Sequence, residues 1–107
     1  MEIVDDAGTV LVAINSQRQV TGSLTVQAGE ELTLEVFFLD EVGARFSAED
    51  DVENSLGWTV AHEGVAELEA HQGHYDLIGV SAGSTTVAFS LLHGGHSDYD
   101  SPAVPIT

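Results

Sequence analysis

Two tetrapeptides of this chain share one pattern: His71-Gln72-Gly73-His74 and His93-Gly94-Gly95-His96 both read His-x-Gly-His. Each lies between strand-like segments, and x-Gly or Gly-Gly suits a two-residue hairpin turn, which sets the flanking histidines directly opposite each other. Cross-strand Cβ atoms on one face lie about 4.5–5.5 Å apart, close enough for two imidazoles to hold one metal ion. Alternation along the strands adds oxygen donors. Glu67 and Glu69 share the face of His71, Asp76 shares that of His74, and Asp98 and Asp100 follow His96 at its parity. The expected ligand set is therefore His71, His74, His93 and His96, with Glu69, Asp76 and Asp98 as further ligands or as acceptors that fix the imidazole tautomers.

Imidazole and carboxylate without sulfur favour Cu(II), Zn(II) or Ni(II), and the affinity order puts copper first, with zinc as the alternative. Four histidines suffice for one four-coordinate ion, or for two ions with two nitrogens each. Uptake should weaken as pH falls through about 6.5, where free imidazole takes up a proton. Catalysis is not expected. The chain has five histidines, whereas a dicopper centre with three per copper needs six. It also has no His-Glu-x-x-His helix motif and no Gly-x-Ser-x-Gly elbow. The acidic run Glu49-Asp50-Asp51-Val52-Glu53 lacks the spacing of a calcium loop and reads as a solvated loop.

The elements that must position these residues follow from pattern and composition. A chain of 107 residues holds one domain, residues 1–107. Period-two alternation with turn punctuation recurs throughout, and no sustained helical stripe occurs, so the fold class is all-β. Strand-like segments are Thr9 to Ile14, Ser23 to Val26, Leu32 to Phe38, the segment of Trp58 and Val60, Val65 to His71, His74 to Val80, Thr85 to Leu92 and Tyr99 to Ile106. Seven or eight short, mostly antiparallel strands at this spacing predict a two-sheet sandwich. Leu32, Leu34, Val36 and Phe38 form one core-facing row, Trp58, Tyr75 and Phe89 have core-like parity, and Phe37 faces outward. The first hairpin descends to Ala82-Gly83-Ser84 and the chain climbs back over a similar length to the second, so both His-x-Gly-His tips should lie at one pole and converge. His62 should occupy the opposite pole.

Eighteen acidic residues against two basic ones give a formal charge of −16, and the only cations are Arg18 and Arg45. Such a surface repels phosphate backbones and anionic lipids, so nucleic acid and membrane surfaces are poor partners, no membrane insertion is expected, and metal cations are favoured. With no cysteine, disulfides, zinc thiolates and thiol catalysis are excluded. No stretch is long and apolar enough for a membrane helix.

From Leu24 to Thr107 the chain resembles a bacterial Ig-like domain of the group-2 type. The resemblance is carried by Val-x-Ala-Gly-Glu at Val26 to Glu30, Gly-Val-Ala-Glu-Leu at Gly64 to Leu68, and the run Leu-Ile-Gly-Val-Ser-Ala-Gly-Ser-Thr-Thr-Val at Leu77 to Val87. It implies an Ig-like β-sandwich, secreted or on the cell surface with any export signal removed, acting as a binding or structural module. The His-Gly-Gly-His-Ser-Asp-Tyr segment departs from the generic module and marks a His-bearing subgroup. Residues 1–20 fit the template least and read as an added or exchanged N-terminal strand. Two functions follow as expectations: an extracellular copper- or zinc-binding domain, or a self-assembling surface-layer, fibre or tube subunit. In the second, a homo-oligomer or filament, metal is a cross-link or absent.

Overall fold

A computed structural model describes residues 1–40, 42–48, 53–71, 74–94 and 96–107. The chain is almost entirely β, as two antiparallel sheets. Among the described residues there are eleven strands: β1 (Glu2–Asp5), β2 (Val10–Ile14), β3 (Val20–Gly22), β4 (Glu31–Leu39), β5 (Arg45–Phe46), β6 (Asn54–Val60), β7 (Ala66–His71), β8 (His74–Gly79), β9 (Thr85–His93), β10 (His96–Asp100) and β11 (Val104–Ile106). The first sheet runs β3-β2-β1-β4-β8-β7, with β5 paired to the end of β4. In the second, β6 pairs β9 along its length, and β10 and β11 share the other edge of β9. The count exceeds the seven or eight expected because β1 and β5 are short additions and the last strand is broken at Ser101-Pro102-Ala103.

One core lies between the sheets. Leu34, Val36, Phe38, Tyr75 and Leu77 of the first sheet meet Val87, Phe89, Leu91, Val104 and Ile106 of the second. Alternation in β4 and β9 does this directly, since residues two apart share a face. The expected row Leu34, Val36, Phe38 is buried, Leu32 is partly so, and Trp58 meets Tyr75 edge-on at 5.7 Å between centroids. Phe37 faces away from that core as expected, but the Arg45 guanidinium lies 5.3 Å above its ring.

The N-terminal residues sit at the centre of the first sheet rather than at its margin. β1 pairs β4 on one side and β2 on the other, and Ile3 is fully buried. The expected Ser23 to Val26 strand contributes a single parallel bridge from Leu24 to Ile106, while the preceding Val20–Gly22 is the paired segment.

A common turn closes three connections. Asp5, Asn15 and Asp40 each accept, through Oδ1, the backbone N–H groups two and four residues on. The residue three along has positive φ: Gly8, Arg18 and Gly43. Such Asx turns use the short side chain in place of a backbone acceptor. Arg18 takes the strained position without a glycine, and its Nη1 donates to the Asp100 carbonyl at 2.6 Å.

Gly79 ends β8 against the turn that leads into β4. Its N–H donates to the Glu30 carbonyl at 2.9 Å, and its own carbonyl accepts from Gly29 at 2.8 Å. A Cβ here would run into the Gln27 carbonyl. Gly79→Ala should therefore lower stability by about 1–3 kcal/mol, the usual range for forcing an atom into filled space. A urea midpoint unchanged from the parent protein would contradict that contact.

Candidate metal centre

The β7–β8 hairpin buries one face and presents the other to solvent. Ala66, Tyr75 and Leu77 point into the core, so Glu67, Glu69, His71, His74 and Asp76 stand on the outer face. His71 and His74 are direct partners across the hairpin, as their spacing predicted. Their rings stack, with centroids 5.0 Å apart and planes 19° from parallel.

Asp76 completes the group. Its Oδ2 lies 3.0 Å from His71 Nε2, and one ligand atom from each of His71, His74 and Asp76 can be chosen so that all lie within 4.8 Å of one another. Two ligands about 2.0–2.1 Å from a tetrahedral ion are separated by roughly 3.3 Å, so the His71–Asp76 spacing needs only a small adjustment to admit one. Glu69, opposite Asp76 in the ladder, brings Oε1 to 3.9 Å from the same nitrogen. Its side chain is 60% exposed and free to swing, whereas that of Asp76 is 16% exposed.

Asp76 is held from its other side. Thr33, its register partner on β4, donates Oγ1–H to Asp76 Oδ1 at 3.1 Å, leaving Oδ2 for a cation. Thr33→Val keeps the shape and removes that donor. Groups behind a metal ligand are typically worth about 10–100-fold in affinity, and this variant should lose Zn(II) affinity within that range. Affinity equal to the parent protein's in a calorimetric titration would show that the hydroxyl does not orient the carboxylate.

The second hairpin is built differently. His93 and His96 are again direct partners. His93, however, continues the buried parity of Val87, Phe89 and Leu91, so its ring leaves the inner face at the rim of the sandwich. Carboxylates meet both ring nitrogens: Glu53 Oε2 lies 3.0 Å from Nε2, and Asp98 Oδ2 lies 3.6 Å from Nδ1. His96 is exposed opposite it.

Among the described residues the group within bonding reach holds His71, His74 and Asp76, without His93 or His96. Parity is one reason, since one pair faces outward and the other is on the inner parity.

A register shift between Ser97 and Tyr99 also breaks the expected shared parity of Asp98 and Asp100. Asp98 stays near His93, while Asp100 turns to accept from Ser90 Oγ at 2.6 Å and Ser97 Oγ at 2.7 Å. Those two hydrogen bonds, first Ser90 and then Ser97, hold the Asp100 carboxyl below its ordinary range, with a smaller contribution from Arg18. A depressed carboxyl stabilises the fold above the ordinary carboxylate range, and that stability is lost as pH falls through the lower folded value. Ser90→Ala should therefore make the acid side of a thermal-stability profile shallower. An unchanged profile would remove this linkage. Burial raises the neighbouring Tyr99 phenol.

His62 lies in the β6–β7 turn at the far end of β7 from the tip, as expected, where its N–H donates to Thr85 Oγ1. The acidic run Glu49 to Val52 lies outside the described residues, and Glu53 at its end is the His93 partner. Thr33 and Glu53 went unforeseen. Alternation shows that both point outward from the core row or lie in a loop, but not which strand lies beside them.

No protein-family profile matches this chain, and no curated protein does. Among the described residues no helix is long and apolar enough to cross a membrane.

Proposed function

We propose that this protein is an exported, immunoglobulin-like module that binds a divalent transition-metal ion, copper first and zinc as the alternative, through His71, His74 and Asp76. The observation that carries the proposal is the convergence of two imidazoles and one carboxylate within 4.8 Å on the outer face of paired strands. Nitrogen and oxygen donors without sulfur suit Cu(II) or Zn(II), and Glu69 is placed to serve as a fourth ligand. A net charge of −16 concentrates cations at the surface and supports uptake.

Sequestration or sensing fits this site better than catalysis. Among the described residues the donors stand on the outer, solvent-facing side of the sheet, whereas catalysis calls for a water-excluding cleft. Secretion is supported by the resemblance of Leu24 to Thr107 to bacterial Ig-like modules, which are commonly surface proteins.

Titration of metal-free protein with Cu(II) and Zn(II) tests the reading. One saturable ion per chain is expected, with Cu(II) held more tightly and its paramagnetic resonance spectrum showing coupling to two imidazole nitrogens. Stoichiometric uptake with no nitrogen coupling, or no saturable uptake of either ion, would overturn it.

A further inference from the structure

Among the described residues the strand β6 is an open edge of the second sheet, and its own sequence lacks the devices that usually close such edges. Among the described residues β6 pairs only with β9, in unbroken register from Asn54 opposite His93 to Val60 opposite Val87. The bonds flanking this ladder, Ala61 N–H to Thr86 and Gly94 N–H to Glu53, fix its phase. Ser55, Gly57 and Thr59 must turn their backbone groups toward β9, while Asn54, Leu56, Trp58 and Val60 turn theirs outward. Among the described residues nothing pairs with those outward N–H and C=O groups.

Protein edges are commonly blunted by charge, proline, bulges or brevity. Glu67 and Glu69 lie on β7, β10 is bulged, and β11 and β3 are three residues each, with Pro105 in β11. β6 has seven residues, none charged and none proline, in a chain with 18 acidic residues. Its inner side chains Leu56, Trp58 and Val60 are only partly buried. Beside them a cleft of about 460 Å³ opens toward β7, lined by Trp58, Thr59, Val60, Glu63, Glu67 and Leu68.

We infer that β6 is a strand-addition site for an extended, basic segment of another protein, which extends the second sheet and covers the cleft between β6 and β7. Main-chain hydrogen bonds to Leu56, Trp58 and Val60 supply the register, and alternate apolar side chains seat against Trp58 and Leu68. Charge selects the partner. Glu63 and Glu67 border the cleft and the whole molecule carries −16, so a second copy is repelled and a lysine- or arginine-bearing strand is drawn in.

Trp58 is the chain's single tryptophan, so its fluorescence reports on this cleft directly. The probe is a blocked seven-residue peptide alternating valine and lysine, titrated into the whole chain at low salt. Saturable fluorescence change is expected, together with slowed amide exchange at Leu56, Trp58 and Val60. N-methylation of the alternate peptide amides that face β6 should weaken binding at least tenfold, whereas methylation of the other set should leave it within about twofold. A glutamate-for-lysine peptide should bind at least tenfold more weakly. Equal binding of the two methylated forms, equal binding of the acidic peptide, or unaltered exchange at those amides would each overturn the inference. So would concentration-dependent dimerisation of the protein alone that protects the same amides.

Discussion

His74→Ala should weaken Cu(II) and Zn(II) binding by more than about 100-fold, because it removes a ligand outright and even the groups behind ligands cost about 10–100-fold. His71→Ala should do the same, since its Nε2 is the nitrogen 3.0 Å from Asp76. His93→Ala should leave affinity within about threefold, because that ring lies outside the group of His71, His74 and Asp76 and is engaged by Glu53 and Asp98. Surface substitutions of this kind usually move stability by no more than about 0.5 kcal/mol, so the three variants can be compared as folded proteins. Isothermal titration of metal-free samples at one pH checks all three. A loss for His93→Ala as large as that for His74→Ala would mean that the two hairpins share an ion. Undiminished binding by His71→Ala and His74→Ala would remove the site.

The second large effect concerns the frame. Phe89 is fully buried in the middle of β9, opposite Trp58, and its N–H donates to Ser101 Oγ at 2.9 Å where the last strand breaks. Truncation to alanine leaves a cavity bounded by both sheets, and such changes cost about 3–5 kcal/mol. Since small domains hold only about 5–15 kcal/mol in total, Phe89→Ala should unfold at markedly lower urea concentration. Metal provides a cross-check. An ion that binds the folded chain alone, at about 100 times its dissociation constant, restores roughly 2.7 kcal/mol. Zn(II) should therefore recover much of the loss in Phe89→Ala but none in the Phe89→Ala, His74→Ala double variant. Recovery in both would place the stabilising ion elsewhere.

Alternation made most of the architecture legible. Leu34, Val36 and Phe38 on β4 and Val87, Phe89 and Leu91 on β9 could be assigned to the core because a period of two puts every second side chain on one face. The same rule placed His71 opposite His74, with Asp76 and Glu69 one step below. Two of the turns, Asp5 to Gly8 and Asp40 to Gly43, carry one Asp-x-x-Gly signal in the sequence. Arg18 hides a third copy, since it takes a left-handed backbone position normally marked by glycine.

Local pattern by itself determined an all-β chain with a strongly negative surface and two hairpins whose histidines pair across the turn. Only the tertiary structure decided that one pair faces outward beside Asp76 and that His93 of the other, on the inner parity, meets Glu53 and Asp98 at the rim. Parity within a strand depends on neighbours in sequence, but which sheet a strand joins, how far it rises and which residue lies across from Thr33 or Asn54 depend on contacts between distant segments. Those contacts are set by packing a common core, and packing energy belongs to the assembled sheets rather than to any one segment.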